Sequence, residues 1–235
     1  MQAARISELL QPYLQGANDQ RLPANDALYQ HISTYIDMLL RWNPRMNLTA
    51  IRNEEEIVTR HFGESLFAAR HLFPKVHPVS PVVKDLAVAE ARSPKAAAQL
   101  ADIGSGAGFP GIPIKLWAPH VAVTLIESNQ KKATFLREIV HSLTLTDINI
   151  QNIRAETLSP SSFDVVTLRA VERLNAILPV ALKLLPLGGQ LALFVSSLQL
   201  EATRSTLTSV DWEPPIPIPN SQARLFLVGR SIGAS

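Results

Sequence analysis

The sequence predicts an α/β protein in which a doubly wound, mostly parallel sheet follows a helical N-terminal extension. Three observations carry this. From Gln99 onward, short apolar runs alternate with helical patterns, as they do when parallel strands are joined by crossover helices. The first of these runs ends in a glycine-rich turn, LADIGSGAGFPGIPI at 100–114, that re-enters a helix. Residues 1–73 carry no strand signal and repeat apolar side chains at helical spacing.

The elements follow in order. Leu28, Ile32, Tyr35, Ile36, Leu39 and Leu40 place one buried stripe on a helix from 26 to about 42, which Asn43-Pro44 should end. Asn53 followed by Glu56 resembles a capping box, and Ile57, Phe62, Leu66 and Phe67 continue a helix to about Phe73. Residues 74–98 mix prolines, alanines and charges without a period and read as an inserted linker, mobile in part. Strands are predicted at 100–104, 121–127, 147–153, 163–168 and 189–195, with a terminal pair near 211–213 and 224–229. The helix after Glu127 buries Leu136, Ile139, Val140 and Leu143 and turns Lys131, Lys132 and Arg137 outward. The prolines between Glu213 and Pro219 lack donors, so that stretch is a connection and not a central strand. The division is therefore extension 1–73, linker 74–98 and α/β domain 99–235.

Composition removes several classes of function. With 235 residues, 46% hydrophobic and 18% charged, the chain supports one sizeable core and a smaller appended unit. No apolar run is long enough to span a bilayer, and the amphipathic start MQAARISELLQPYL is unlike a signal peptide, so a cytoplasmic location is expected. The absence of cysteine excludes disulfides, thiolate metal sites and a cysteine nucleophile, including the thiolate adduct that usually precedes methylation at C5 of a pyrimidine. The histidines form no metal-ligand spacing, so no metal is expected. A net charge of +2 permits a polyanionic partner without demanding one.

The glycine turn is the candidate ligand site. Gly104, Gly106 and Gly108 allow a sharp backbone bend beneath a ligand, and Glu127, at the end of VAVTLIES, can accept hydrogen bonds from both hydroxyls of a ribose. Two cofactors fit. In the register Gly106-x-Gly108-x-x-Gly111 the loop matches a dinucleotide fingerprint, although Pro110 there lacks an N–H. In the register Asp102-x-Gly104-x-Gly106-x-Gly108 it has an acid before its first glycine and no demand for a phosphate, which suits the aminocarboxypropyl arm of S-adenosylmethionine. A turn that merely joins strand to helix is the third reading.

Larger motifs narrow this. WNPRMNLTAI at 42–51, Arg60-His61 with Glu64-Ser65-Leu66, and DIGSGAGFPGIP at 102–113, together with Glu127-Ser128, Lys132, Phe135-Leu136-Arg137, Arg154-Ala155-Glu156 and Leu168-Arg169-Ala170, resemble the bacterial small-subunit ribosomal RNA (guanine-N7) methyltransferase G family, also called glucose-inhibited division protein B. The resemblance implies a class I methyltransferase, Rossmann-like domain. It would use S-adenosylmethionine to methylate N7 of a guanine in the decoding-region loop of 16S rRNA, with small-subunit rRNA or the 30S particle as partner; nothing in the sequence suggests an obligate interface, so a monomer is expected. It assigns Gly104 and Phe109 to the methionine end of the cofactor, Glu127 to the ribose, Ala155 and Glu156 to the adenine end, and Arg169 to the edge facing the acceptor base. Asp102, Gly106 and Gly108 complete the cofactor set.

Guanine N7 carries an in-plane lone pair and no proton, so the reaction needs alignment and electrostatics, not a general base. Arg169, protonated at any working pH, is a positioning group, with a solvent-facing strand-end arginine as the alternative. Arg41, Arg45, Arg52 and Arg60 either grip RNA phosphates or pair with Glu54, Glu55 and Glu56. His61 reads as a satisfied, half-buried histidine, and Asn47 and Thr49 as turn formers as much as ligand contacts. Three features depart from the family. Val195-Ser196 stands where Lys-Gly is usual, Glu64 replaces an aspartate, and 74–98 is extra. The first keeps open a methyltransferase acting on another RNA or a small molecule, or a non-catalytic RNA-binding relative.

Overall fold

The protein, as a computed structural model, describes residues 1–15, 26–74, 97–170 and 174–232. Helices α1 (Ala3–Leu14) and α2 (Asp26–Met46) open the chain, and α3 (Glu54–Glu56) runs through a π-helical stretch, Ile57–Gly63, into α4 (Glu64–Leu72). The alternating part is β1 (Gln99–Ile103), α5 (Gly111–Trp117), β2 (Ala122–Ile126), α6 (Gln130–Ser142), β3 (Ile148–Gln151), β4 (Val165–Arg169), α7 (Leu174–Lys183) and β5 (Gln190–Ser196). Helix α8 (Leu200–Thr206) and strands β6 (Val210–Trp212), β7 (Ile216–Pro217) and β8 (Arg224–Ser231) close it.

The sheet order is β3-β2-β1-β4-β5-β8-β6. Strands β1 to β5 run parallel, and β8 returns antiparallel against β5. The order reverses between β1 and β4, so a crevice opens at their carboxyl ends, where open α/β sheets take ligands. The expected strands are present with bounds shifted by at most two residues. The proline stretch differs in part: it is a connection, yet Ile216 and Pro217 pair with Phe226 and Leu225. That pairing lies on the outer side of β8, where a missing N–H costs no central ladder bond.

Two expectations for the extension are corrected. Pro44 does not end α2, which continues to Met46 and stops where Asn47 takes a positive φ of 48°. The Asn43 side chain sets that stop, donating to the Thr49 carbonyl at 2.9 Å and accepting from the Thr49 N–H at 3.0 Å. The following helix starts as predicted, with Asn53 accepting from the Glu56 N–H, but it is not α-helical throughout. Ile57 and Phe62, both fully buried, are five residues apart, the i→i+5 spacing of a π-turn. Most of the predicted linker lies outside the described residues.

The extension and the sheet share one core. Ile6, Ile32, Ile36 and Leu39 pack in the same cluster as Leu100, Ile112, Leu125 and Leu136, which covers the α5–α6 face. The opposite face buries Leu168, Leu178, Leu191 and Leu193. Close docking of α1 rests on Gly63, because a Cβ there would meet the ring of the buried Tyr13 at 2.7 Å. Gly63→Ala is therefore expected to cost about 1–3 kcal/mol by overpacking. Urea unfolding checks this, and wild-type stability would show that α1 can shift freely.

Candidate active site

The loop after β1 is fastened by its own neighbours. The Gly104 and Ser105 N–H groups donate to the Ile126 carbonyl at 2.9 and 3.1 Å, and the Gly106 N–H donates to Glu127 Oε2 at 2.9 Å. Glu127 Oε1 accepts from the Asn129 N–H at 2.7 Å. Gly104, Gly106 and Gly108 all take positive φ (69°, 56° and 90°), so the glycines are there for conformation. The amides that would face a pyrophosphate in a dinucleotide site are thus largely engaged within the fold. Likewise, the Gly111 N–H at the start of α5 donates to Asp102 Oδ2 at 3.1 Å, so a buried carboxylate already occupies that helix terminus.

Asp102 is consequently a brace. Its Oδ1 accepts from Thr167 Oγ1 at 2.9 Å, tying β1 to β4, and it is almost wholly buried. Burial pushes its carboxyl up to about 6, against the stabilising hydrogen bonds from Thr167 and Gly111. Phe109 also turns inward. Its buried ring stacks on Tyr35 and on His61, with centroids at 5.3 and 4.7 Å.

Gly104, Glu127, Ala155 and Glu156 come together around a cleft of about 440 Å³, with Ile103, Ile126 and Ile153 as apolar walls. The size suits a nucleoside ligand. Ala155 is buried and Glu156 exposed at the rim. A larger hollow of about 690 Å³, bordered by Asp164, Gly189 and Arg230, lies at the opposite end, where β4 and β5 begin.

Arg169 does not face solvent freely. Its side chain is 11% exposed, Nη2 donates to the Arg60 carbonyl at 2.6 Å and to Glu64 Oε2 at 3.0 Å, and Nη1 donates to His61 Nδ1 at 3.1 Å. Phe194 lies 5.7 Å from the guanidinium carbon. Glu64, 2% exposed, also pairs with Arg224 through Oε1. Because His61 Nδ1 accepts from a guanidinium, the imidazole proton resides on Nε2 and is donated to Thr49 Oγ1, 2.7 Å away. Burial first and the Arg169 charge second push His61 down to about 3, so it is neutral.

The grouped arginines resolve individually. Arg60 pairs with Glu56 at 3.4 Å, whereas Glu55 is taken by Arg5 at 2.8 Å, and Arg41, Arg45 and Arg52 lie exposed. At the departure from the family pattern, Val195 is buried and Ser196 is occupied by Gln199 Oε1, which accepts from its N–H at 2.9 Å and its hydroxyl at 3.0 Å. Sequence reasoning missed Thr167 and Arg224. Each is a polar residue in an apolar strand run, and that oddity is the only signal they leave in the sequence.

Similar proteins are abundant. A curated relative from Chloroflexus aggregans, named Ribosomal RNA small subunit methyltransferase G, is 38% identical over 175 residues, 72% of this chain and 65% of that protein. Its namesake from Xylella fastidiosa is 39% identical over 158 residues, 67% of this chain and 64% of that one. The chain thus spans slightly under two thirds of the length of these relatives. Among solved structures, the ribosomal protein L11 methylase from Lactobacillus delbrueckii superposes with a TM-score of 0.56 at 15% identity, covering 74% of this chain and 79% of that one. P. horikoshii TYW2 in complex with MeSAdo gives 0.51 at 18% identity, covering 59% and 58%. Both support the class I methyltransferase fold expected from the sequence. The GidB family, described as rRNA small subunit methyltransferase G, matches residues 28–206, and the chain belongs to that family.

Proposed function

We propose that this protein transfers the methyl group of S-adenosylmethionine to N7 of a guanine in the decoding-region loop of 16S rRNA. The observation that carries the reading is the cleft at the switch point in a chain of this family: its loop amides are engaged internally, leaving an apolar, carboxylate-edged pocket suited to a nucleoside without phosphates. Gly104 and the Gly106 backbone border the methionine end, Glu127 takes the ribose, and Ala155 and Glu156 take the adenine end. Asp102, Gly108 and Phe109 hold the loop from behind. Arg169 acts at the acceptor edge, positioning base or phosphate.

No side chain is asked to move a proton. Held by Gly104, Glu127, Ala155 and Glu156, S-adenosylmethionine would supply an electrophilic methyl group, which the N7 lone pair could take as the carbon–sulfur bond broke, with positive charge passing from sulfur to the base and no proton to remove. The residues' work is alignment.

The extension 1–73 and the domain 99–235 act as one monomeric unit in this reading, and the setting is the cytoplasm. No helix among the described residues is long and apolar enough to cross a membrane, and no group of three potential metal ligands occurs among them. Val195, buried where a lysine is usual, favours a second reading in which the acceptor is another RNA or a small molecule.

Tritium transfer from labelled S-adenosylmethionine into purified small subunits lacking the mark tests the proposal. Wild type should label 16S rRNA, and Gly106→Asp should lose at least ~100-fold, because the new side chain must start from a left-handed backbone and brings a second carboxylate beside Glu127, which holds the Gly106 N–H. Label confined to small molecules would overturn the RNA assignment, and an active Gly106→Asp variant would overturn the loop assignment.

The pH profile has a definite sign. His61 stays neutral down to about 3, so acidification from about 8.5 to 6.5 charges neither it nor N7. Single-turnover methylation should be flat over that window. A fall with a midpoint near 6.5 that disappears in His61→Gln would mean that His61 is a proton carrier after all, whereas one that persists in that variant belongs to the buried Asp102 carboxyl, pushed up to about 6.

A further inference from the structure

The cofactor loop has two sides, and only one faces the cleft. On that side Gly106 is tied to Glu127. On the other, the α2 residue Tyr35, fully buried, donates its hydroxyl to the Ala107 carbonyl, between two glycines of positive φ. Its ring stacks on Phe109 at an interplanar angle of 13° and meets Phe62 edge-on at 5.2 Å. A Cβ on Gly108 would run into the Tyr35 hydroxyl, so loop and tyrosine are in direct steric register. Phe109 is in turn backed by His61, the ring that accepts from Arg169.

From this geometry we infer that Tyr35 is a positioning residue for S-adenosylmethionine. It touches no ligand and acts by holding the Ala107 peptide so that Gly104 and Gly106 present the bound-state loop. The inference rests on the methyltransferase reading above. The Ala107 carbonyl is buried against α2, and among the described residues no donor but the Tyr35 hydroxyl reaches it. A buried carbonyl that loses its donor must reorient or remain unsatisfied, and a loop built on three left-handed glycines has the freedom to reorient. The bound-competent loop then becomes a fraction of the population, and apparent cofactor affinity falls by that fraction while the chemical step in the loaded enzyme is untouched.

The test is Tyr35→Phe, which keeps the ring stack and removes one oxygen. Calorimetric affinity for S-adenosylmethionine should weaken about tenfold, the size of one net hydrogen bond, with KM for the cofactor rising in parallel. The kcat at saturating cofactor and KM for the RNA should stay within about twofold. Hydrogen exchange of the Gly106, Ala107 and Gly108 amides should quicken while β1 and β4 remain protected, which separates loop release from general unfolding. Tyr29→Phe, on the same helix, should bind the cofactor as wild type does. Unchanged affinity in Tyr35→Phe, or a loss confined to kcat, overturns the inference and leaves the proposed function standing. If wild type itself binds no S-adenosylmethionine, the underlying reading falls and the inference falls with it.

Discussion

The structure depends on one carboxylate that cannot stand alone. Glu64, 2% exposed at the start of α4, is held between Arg169 at the end of β4 and Arg224 at the start of β8. A charge buried to that degree is tolerable only when paired, and removing one partner from such a pair typically costs about 3–5 kcal/mol. The cluster therefore fixes the helical extension against the carboxyl edge of the sheet. It also explains the π-helical stretch before α4. Its wider winding brings the Arg60 carbonyl, the His61 ring and the Glu64 carboxylate to one guanidinium. Arg169 is thereby a cation held in place before any substrate arrives, the form of preorganisation that alignment chemistry requires.

The cofactor loop follows the same rule of prior satisfaction. Its donors end on Ile126, Glu127 and Ser105, and its acceptor on Tyr35. A glycine-rich loop with free amides invites a phosphate. Here the amides and the α5 terminus are engaged, which separates the two cofactor registers left open by the motif. The three-ring stack of Tyr35, Phe109 and His61 runs from this loop to Arg169, so the glycine loop and the Arg169 cluster share one layer contributed largely by the extension.

Much of this was legible in the sequence. The order of strands and helices followed from apolar periodicity, and the cleft residues Gly104, Glu127, Ala155 and Glu156 from their places at strand ends. Asp102 and Phe109, expected at the cofactor, have buried side chains that the motif did not announce. A motif fixes which residues sit in a turn, but the burial of their side chains depends on α2 and β4, far away in sequence. Arg169 was read as a positioning group, but the contacts that bury it were not legible, because its partners Arg60, His61 and Glu64 precede it by more than a hundred positions. Pro44 misled for a local reason: the helix tolerated it within its last turn, and the buried Asn43 side chain set the true stop.

The central claim is that Glu64 and Arg169 act as a unit that presents a fixed cation at the acceptor edge. A double-mutant cycle on Glu64→Gln and Arg169→Gln, read in both urea stability and methyl transfer, measures it most directly. The account predicts that the double variant is destabilised by less than the sum of the singles by at least about 2 kcal/mol, and that either single variant loses transfer as completely as the pair. Additive stabilities, or transfer surviving Glu64→Gln at the wild-type rate, would contradict it.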